Sequence, residues 1–137
     1  MIAINTNNLF YKILNGSEEI TSEIKGEVFN GNRPLDRNAE DICILQINVN
    51  NGRPQTGSTD INIHVPDIDI TSGGITQQVP DNKRLDELSE IVERVVDSAR
   101  VNGFAFKVDS KSVIDTAIDH YVTLRLSWVL ASENPEV

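Results

Sequence analysis

Cysteine occurs once in these 137 residues, at Cys43, and histidine twice, at His64 and His120. A lone cysteine excludes an internal disulfide and any Cys-rich metal site. Long apolar runs are missing too, none approaching the ~18 residues that span a bilayer, so no membrane partner is expected. The start, MIAINTNNLF, offers neither a basic stretch nor an apolar segment, so no secretory leader is expected. Positive charge is scarce: 12 Lys and Arg stand against 21 Asp and Glu, a formal charge of −9. So acidic a surface repels phosphate, which argues against sequence-independent DNA or RNA binding. What is present, 39% hydrophobic and 24% charged residues, suits one globular domain. These bulk properties point to a soluble intracellular domain that meets other proteins.

The patterning divides residues 1–130 into one domain without repeats, followed by a tail, ASENPEV (131–137), with little to bury and expected to be mobile. A short helix is expected near residues 5–15, with Leu9, Phe10, Ile13 and Leu14 at helical spacing. Asn5 or Thr6 is its cap and Gly16 its stop. The charged stretch 17–41 reads as a loop holding a short strand at Glu27–Phe29. DICILQINVN (41–50) reads as a buried, central strand, because apolar residues occupy both faces.

NGRPQTGS (51–58) reads as a hairpin loop. TDINIHVPDID (59–69) alternates as a strand, and Pro66 places it along or off a sheet edge. ITSGGITQQVP (70–80) reads as a second long connection. From Asp81 to Gly103, Leu85, Leu88, Ile91, Val92, Val95, Val96 and Ala99 form a helical stripe with Asp81 as N-cap and Glu90–Arg94 as a supporting pair. A strand at Phe104–Val108, a turn at DSKS (109–112) and a long strand from about Ala117 to Leu130 complete the chain. The order α-β-β-β-α-β-β predicts an α+β fold, two helices packed on an antiparallel sheet of four to five strands.

Strings that could carry chemistry fare poorly. GRPQTGST (52–59) has the spacing of a phosphate-binding loop, but Ser58 stands where the lysine belongs and a strand follows instead of a helix. PDIDIT (66–71) resembles the nucleophile motif of haloacid dehalogenase phosphatases without the βαβ alternation those enzymes need, so Asp67 and Asp69 read as exposed strand positions. The spacing of an EF-hand is missing as well. His64 and His120 have no second histidine at ligand spacing, and Cys43 lies in an apolar strand as a small buried hydrophobe. No catalytic residue, cofactor or metal site is assigned. The long polar loops point to contact surfaces instead, with Arg53, Gln55, Thr56, Asp67, Asp69, Thr71, Gln77 and Gln78 as candidate interface residues.

The layout resembles the bacteriophage tail-completion proteins of the tail-terminator class. The likeness runs through TNNLFYKIL, GEVFNGNRP leading into DICILQINVN, then TDINIHVPDI, RLDELSEIVERVVDSA and HYVTLRLSWVL, roughly residues 6–130. It implies a structural virion protein of the tail, assembled in the bacterial cytoplasm. Such proteins form a homo-oligomeric ring, commonly of six subunits, on the tail tube protein, stop tube growth and present a surface to the head-side connector. DNA passes through the lumen without specific binding. A radius of gyration of about 14 Å gives a sphere about 37 Å across, and six such spheres leave a lumen of about 37 Å. Another tail component (a connector or tube protein), a small enzyme and a monomeric binding module remain open alternatives.

Overall fold

The computed structural model describes residues 6–116 and 119–131. The anticipated Asn5 cap, the first two residues of the expected last strand and most of the acidic tail lie outside them. Among the described residues the fold is α+β, with helices α1 (Thr6–Asn15), α2 (Glu18–Glu23) and α3 (Asn82–Ser98). The strands are β1 (Val28–Asn30), β2 (Asp41–Asn50), β3 (Gln55–Pro66), β4 (Ile68–Ser72), β5 (Ile75–Val79), β6 (Phe104–Asp115) and β7 (Asp119–Leu130). Among the described residues no helix is long and apolar enough to cross a membrane.

The main sheet has the order β1-β2-β3-β7-β6. It is mixed rather than antiparallel, because β1 runs parallel to β2. The segment 31–40, expected to be a turn and loop, carries the chain back to make that parallel pairing possible. β4 and β5 form a separate two-stranded sheet.

The core lies on one face. Alternation puts Ile42 and Ile44 of β2 beside Ile61 and Ile63 of β3, which in turn pair with Val122 and Leu124 of β7. The helices cover this face with Phe10 and Leu14 from α1, Ile20 from α2, and Leu85, Leu88, Val92 and Val96 from α3. Phe10 meets Phe104 and Phe106 edge-on, at 5.6 and 5.3 Å between ring centres.

A chain of hydrogen bonds ties the start of α1 to the sheet. Thr6 donates from both its backbone N–H (3.2 Å) and its hydroxyl (2.9 Å) to Gln46 Oε1, satisfying an otherwise orphaned helix-start donor. Because the Thr6 hydroxyl is spent on Gln46, the Thr59 hydroxyl donates to Thr6 at 3.4 Å and accepts from Trp128 Nε1 at 3.1 Å. Thr59→Val keeps the shape and leaves the buried indole N–H without an acceptor. A loss of about 1–3 kcal/mol in urea unfolding is expected; an unchanged midpoint would contradict the chain.

Several expectations are corrected. β3 is a central strand flanked by β2 and β7, not an edge: Pro66 is its last residue and forfeits a donor only there. The segment 70–80 is no open connection but most of a hairpin, because Gly73 and Gly74, with φ of 60° and 79°, close a two-residue turn between Ser72 and Ile75. DSKS is not a turn. It lies inside β6, where the pairing slips between Val108 and Ser110 and the strand continues to Asp115. Residues 18–23 form a helix capped by Ser17, which accepts from the Ile20 N–H. α3 stops at Ser98 rather than Gly103, and Arg94 pairs with Glu19 of α2 rather than with Glu90.

Candidate functional site

Two features dominate the end of the sheet where β2 begins and β3 ends. The first is a knot of charge. Glu40 and Asp41 stand side by side, and each carboxylate grips an arginine. Arg84 of α3 donates to Glu40 through Nε (2.6 Å) and Nη2 (2.9 Å), while its Nη1 reaches Glu23 (2.8 Å). Arg37 donates to Asp41 through Nε (3.1 Å) and Nη2 (2.5 Å). Arg33 bridges Asp41 (3.1 Å) and Asp119 of β7 (2.6 Å). The backbone N–H groups of Lys25 and Glu27 complete the shells of Glu40 and Asp41. Gly26 between them has no room for a side chain, since a Cβ there would fall 2.2 Å from Asp41 Oδ1.

Burial pushes both acids up, but the hydrogen bonds from Arg84 and the Lys25 N–H on Glu40 hold it below the usual carboxylate range. Those from Arg37, the Glu27 N–H and Arg33 do the same for Asp41. Every carboxylate oxygen of the pair accepts at least one such bond, so the cluster is built as a clamp.

The histidines do not converge. His64 faces the side of the sheet away from the helices, 3.2 Å from Asp119 and against the Tyr121 ring, 4.6 Å between centres. Burial, then the nearby Arg33, pulls its pKa below the ordinary value despite Asp119. His120 lies on the opposite face of β7. Its Nδ1 meets Asp67 at 2.7 Å and its Nε2 meets Asp115 at 2.6 Å, and the Asp67 hydrogen bond raises its pKa. Cys43 is buried and its thiol is pushed up by that burial, a poor setting for a thiolate. Among the described residues no group of three or more His, Cys, Asp or Glu is placed to hold a metal.

The second feature is the β4–β5 hairpin, hereafter the arm. Asp69 pairs with Gln78 and Thr71 with Thr76 on one face, where the two threonine hydroxyls meet at 2.9 Å. The other face carries Ile68, Ile70, Ile75, Gln77 and Val79. Ile68, Ile70 and Ile75 are 43%, 50% and 66% exposed. A two-stranded ribbon is barely stable alone in water, so three bare isoleucines on one are costly without a partner.

The anticipated interface residues therefore separate. Asp67, Asp69, Thr71, Gln77 and Gln78 belong to the arm or its base, and Asp67 anchors that base to β7 through His120. Arg53, Gln55 and Thr56 sit at the other end of β3, roughly 35 Å away at strand spacing. Arg53 is exposed, Thr56 lines an open groove with Lys107 and Trp128, and Gln55 turns inward, 3% exposed, donating to Asn51 at 2.8 Å. Sequence reasoning overlooked the knot and the isoleucines. The alternation of Ile68 and Ile70 around a Gly-Gly pair was the available signal for the arm. Comparison of the chain with protein-family models and with curated proteins finds no match.

Proposed function

We propose that the chain is a structural component of a bacteriophage tail, of the tail-terminator kind. Copies close into a ring at the end of the tail tube, end its growth and offer a joining surface to the head-side connector. The protein acts by geometry and breaks no covalent bond. The observation that supports this most directly is the arm: exposed, apolar on one face and tied to β7 at its root by Asp67–His120. Such a device serves protein contact, and its isoleucines need a protein surface to cover them. The net charge of −9 fits a ring through which DNA slides without sticking.

The test is mass by light scattering with and without tube protein, followed by negative-stain imaging. Discrete rings are expected. Extended stacks would favour a tube or connector component, and a strict monomer under both conditions would overturn the ring.

A further inference from the structure

The main sheet has one long bare edge. Among the described residues β6 is its terminal strand, paired only with β7, and its second half from Asp109 to Asp115 is exposed throughout. Lys107, Lys111 and the bulge near Asp109 blunt the edge in the way that edge strands commonly are. Beyond the bulge, however, Val113 and Ile114 stand in solvent, 58% and 37% exposed. Thus one chain carries an unpaired strand edge with apolar neighbours and, separately, an unpaired ribbon with an apolar face.

Within a single copy the described residues leave these two unpaired with each other: β4 and β5 form a sheet of their own, and β6 pairs with β7. Between copies they match. The arm strands are each about 17 Å long and the edge from Ser110 to Asp115 about 20 Å. The arm carries only Asp67 and Asp69 as charges, and Asp67 is committed to His120. On the edge, Lys107 is drawn to Asp109 (3.8 Å) and Asp115 to His120, which leaves Lys111 as the charge facing solvent. Asp69 and Lys111 are thus opposite, exposed charges on the two candidate surfaces, in a molecule whose overall charge makes copies repel.

We propose that the arm of one copy adds to the free edge of β6 in a second copy, with Ile68, Ile70 and Ile75 covering Ile114 on one face and Asp69 meeting Lys111 on the other. Backbone pairing gives the affinity, and the isoleucines and the charge pair set the register. The contact is heterologous, arm to edge, so each copy uses both surfaces and the chain of contacts closes into a ring or runs on as a filament. It deepens the ring assignment above and rests on it only for closure.

The test uses two double variants of the full chain. Ile70→Asp with Ile75→Asp disables the arm; Lys111→Glu with Ile114→Asp disables the edge. Both sets are exposed, and circular dichroism with thermal melting checks that the fold is kept. By light scattering each variant alone is expected to be monomeric where the unaltered chain assembles. Their equimolar mixture is expected to give 1:1 dimers and nothing larger, since it contains one working arm and one working edge. Closed rings from either variant alone overturn the proposal while leaving the ring assignment standing, as would a symmetric β6–β6 contact that survives loss of the arm. Folded variants that fail to dimerise on mixing also overturn it. If the unaltered chain forms open filaments that both variants dissolve, the arm-to-edge contact holds and the ring assignment fails. An unaltered chain that stays monomeric at every concentration and on the tube overturns both.

Discussion

Asp41→Ala is expected to remove about 3–5 kcal/mol of stability, because it strands Arg33 and Arg37 in a partly enclosed site without their shared acceptor. That is a large part of the ~5–15 kcal/mol typical of a whole domain. The Asp41 side chain is fully buried and receives four donors: the Glu27 N–H, Arg33 and two nitrogens of Arg37. Arg33, 10% exposed, gains little from water in place of the carboxylate, whereas Arg37, 28% exposed, is partly compensated. Asp41→Asn keeps the shape and loses the charge, so a smaller loss is expected. Urea unfolding with an unchanged slope measures both, and an alanine variant within 1 kcal/mol of the unaltered protein would show the knot to be ornamental.

The same carboxylate makes stability depend on pH. Asp41 and Glu40 are held below the ordinary carboxylate range when folded. The unfolded chain therefore takes up their protons first as pH falls, and their contribution is complete above about pH 5 and lost below it. His64, depressed by burial, adds to this slope earlier, since the unfolded imidazole begins to protonate near pH 6.5 while the folded one resists. His120 acts oppositely: raised by Asp67, it stabilises below that point, and its contribution fades as pH rises through its folded value. Melting temperature should fall steeply from pH 5 downward, and Asp41→Asn should flatten that fall. A variant whose acid profile is parallel to that of the parent would place the dependence elsewhere.

The amphipathic elements were legible in the sequence because each writes its burial into a period. α3 shows it as a stripe from Leu85 to Val96 behind the Asp81 cap, and β7 as the alternation Val122, Leu124, Leu126, Trp128, Leu130. Where little is buried the period vanishes. α2 buries Ile20 alone among its six residues, so its sequence looks like a charged loop. The far half of β6 packs under no helix and needs no apolar positions, which is why DSKS reads as a turn. β4 and β5 did alternate, but their exposed Thr, Ser and Gln hid the pattern. The charge knot was beyond reach for another reason: Arg33 and Asp119 lie 86 residues apart, and only the pairing of β3 with β7 brings Asp119 beside His64 and the end of β2.

Trp128→Ala is expected to cost about 3–5 kcal/mol, for reasons that lie at the opposite end of the sheet from the knot. The indole is 2% exposed and fills the space over Gly57, its cross-strand partner. That space is exact enough that a Cβ on Gly57 would come within 2.3 Å of Trp128 Cζ2, so tryptophan and glycine form one packing unit. Phe104 lies 5.7 Å from the indole between ring centres, and Phe10 packs on Phe104 from α1. Truncation therefore opens a cavity among aromatic rings that cannot easily collapse, and it also takes the donor from Thr59. Trp128→Phe separates the two losses. It restores most of the volume while leaving Thr59 without its donor, so it should fall short of the parent by about 1–2 kcal/mol. Gly57→Ala should lose about 1–3 kcal/mol by the reverse route, overfilling the same space. The order alanine worst, phenylalanine mild, in urea midpoints, is the expected result. A phenylalanine variant as unstable as the alanine one would assign the position's weight to the hydrogen-bonded chain through Thr59 and Thr6 and not to packing.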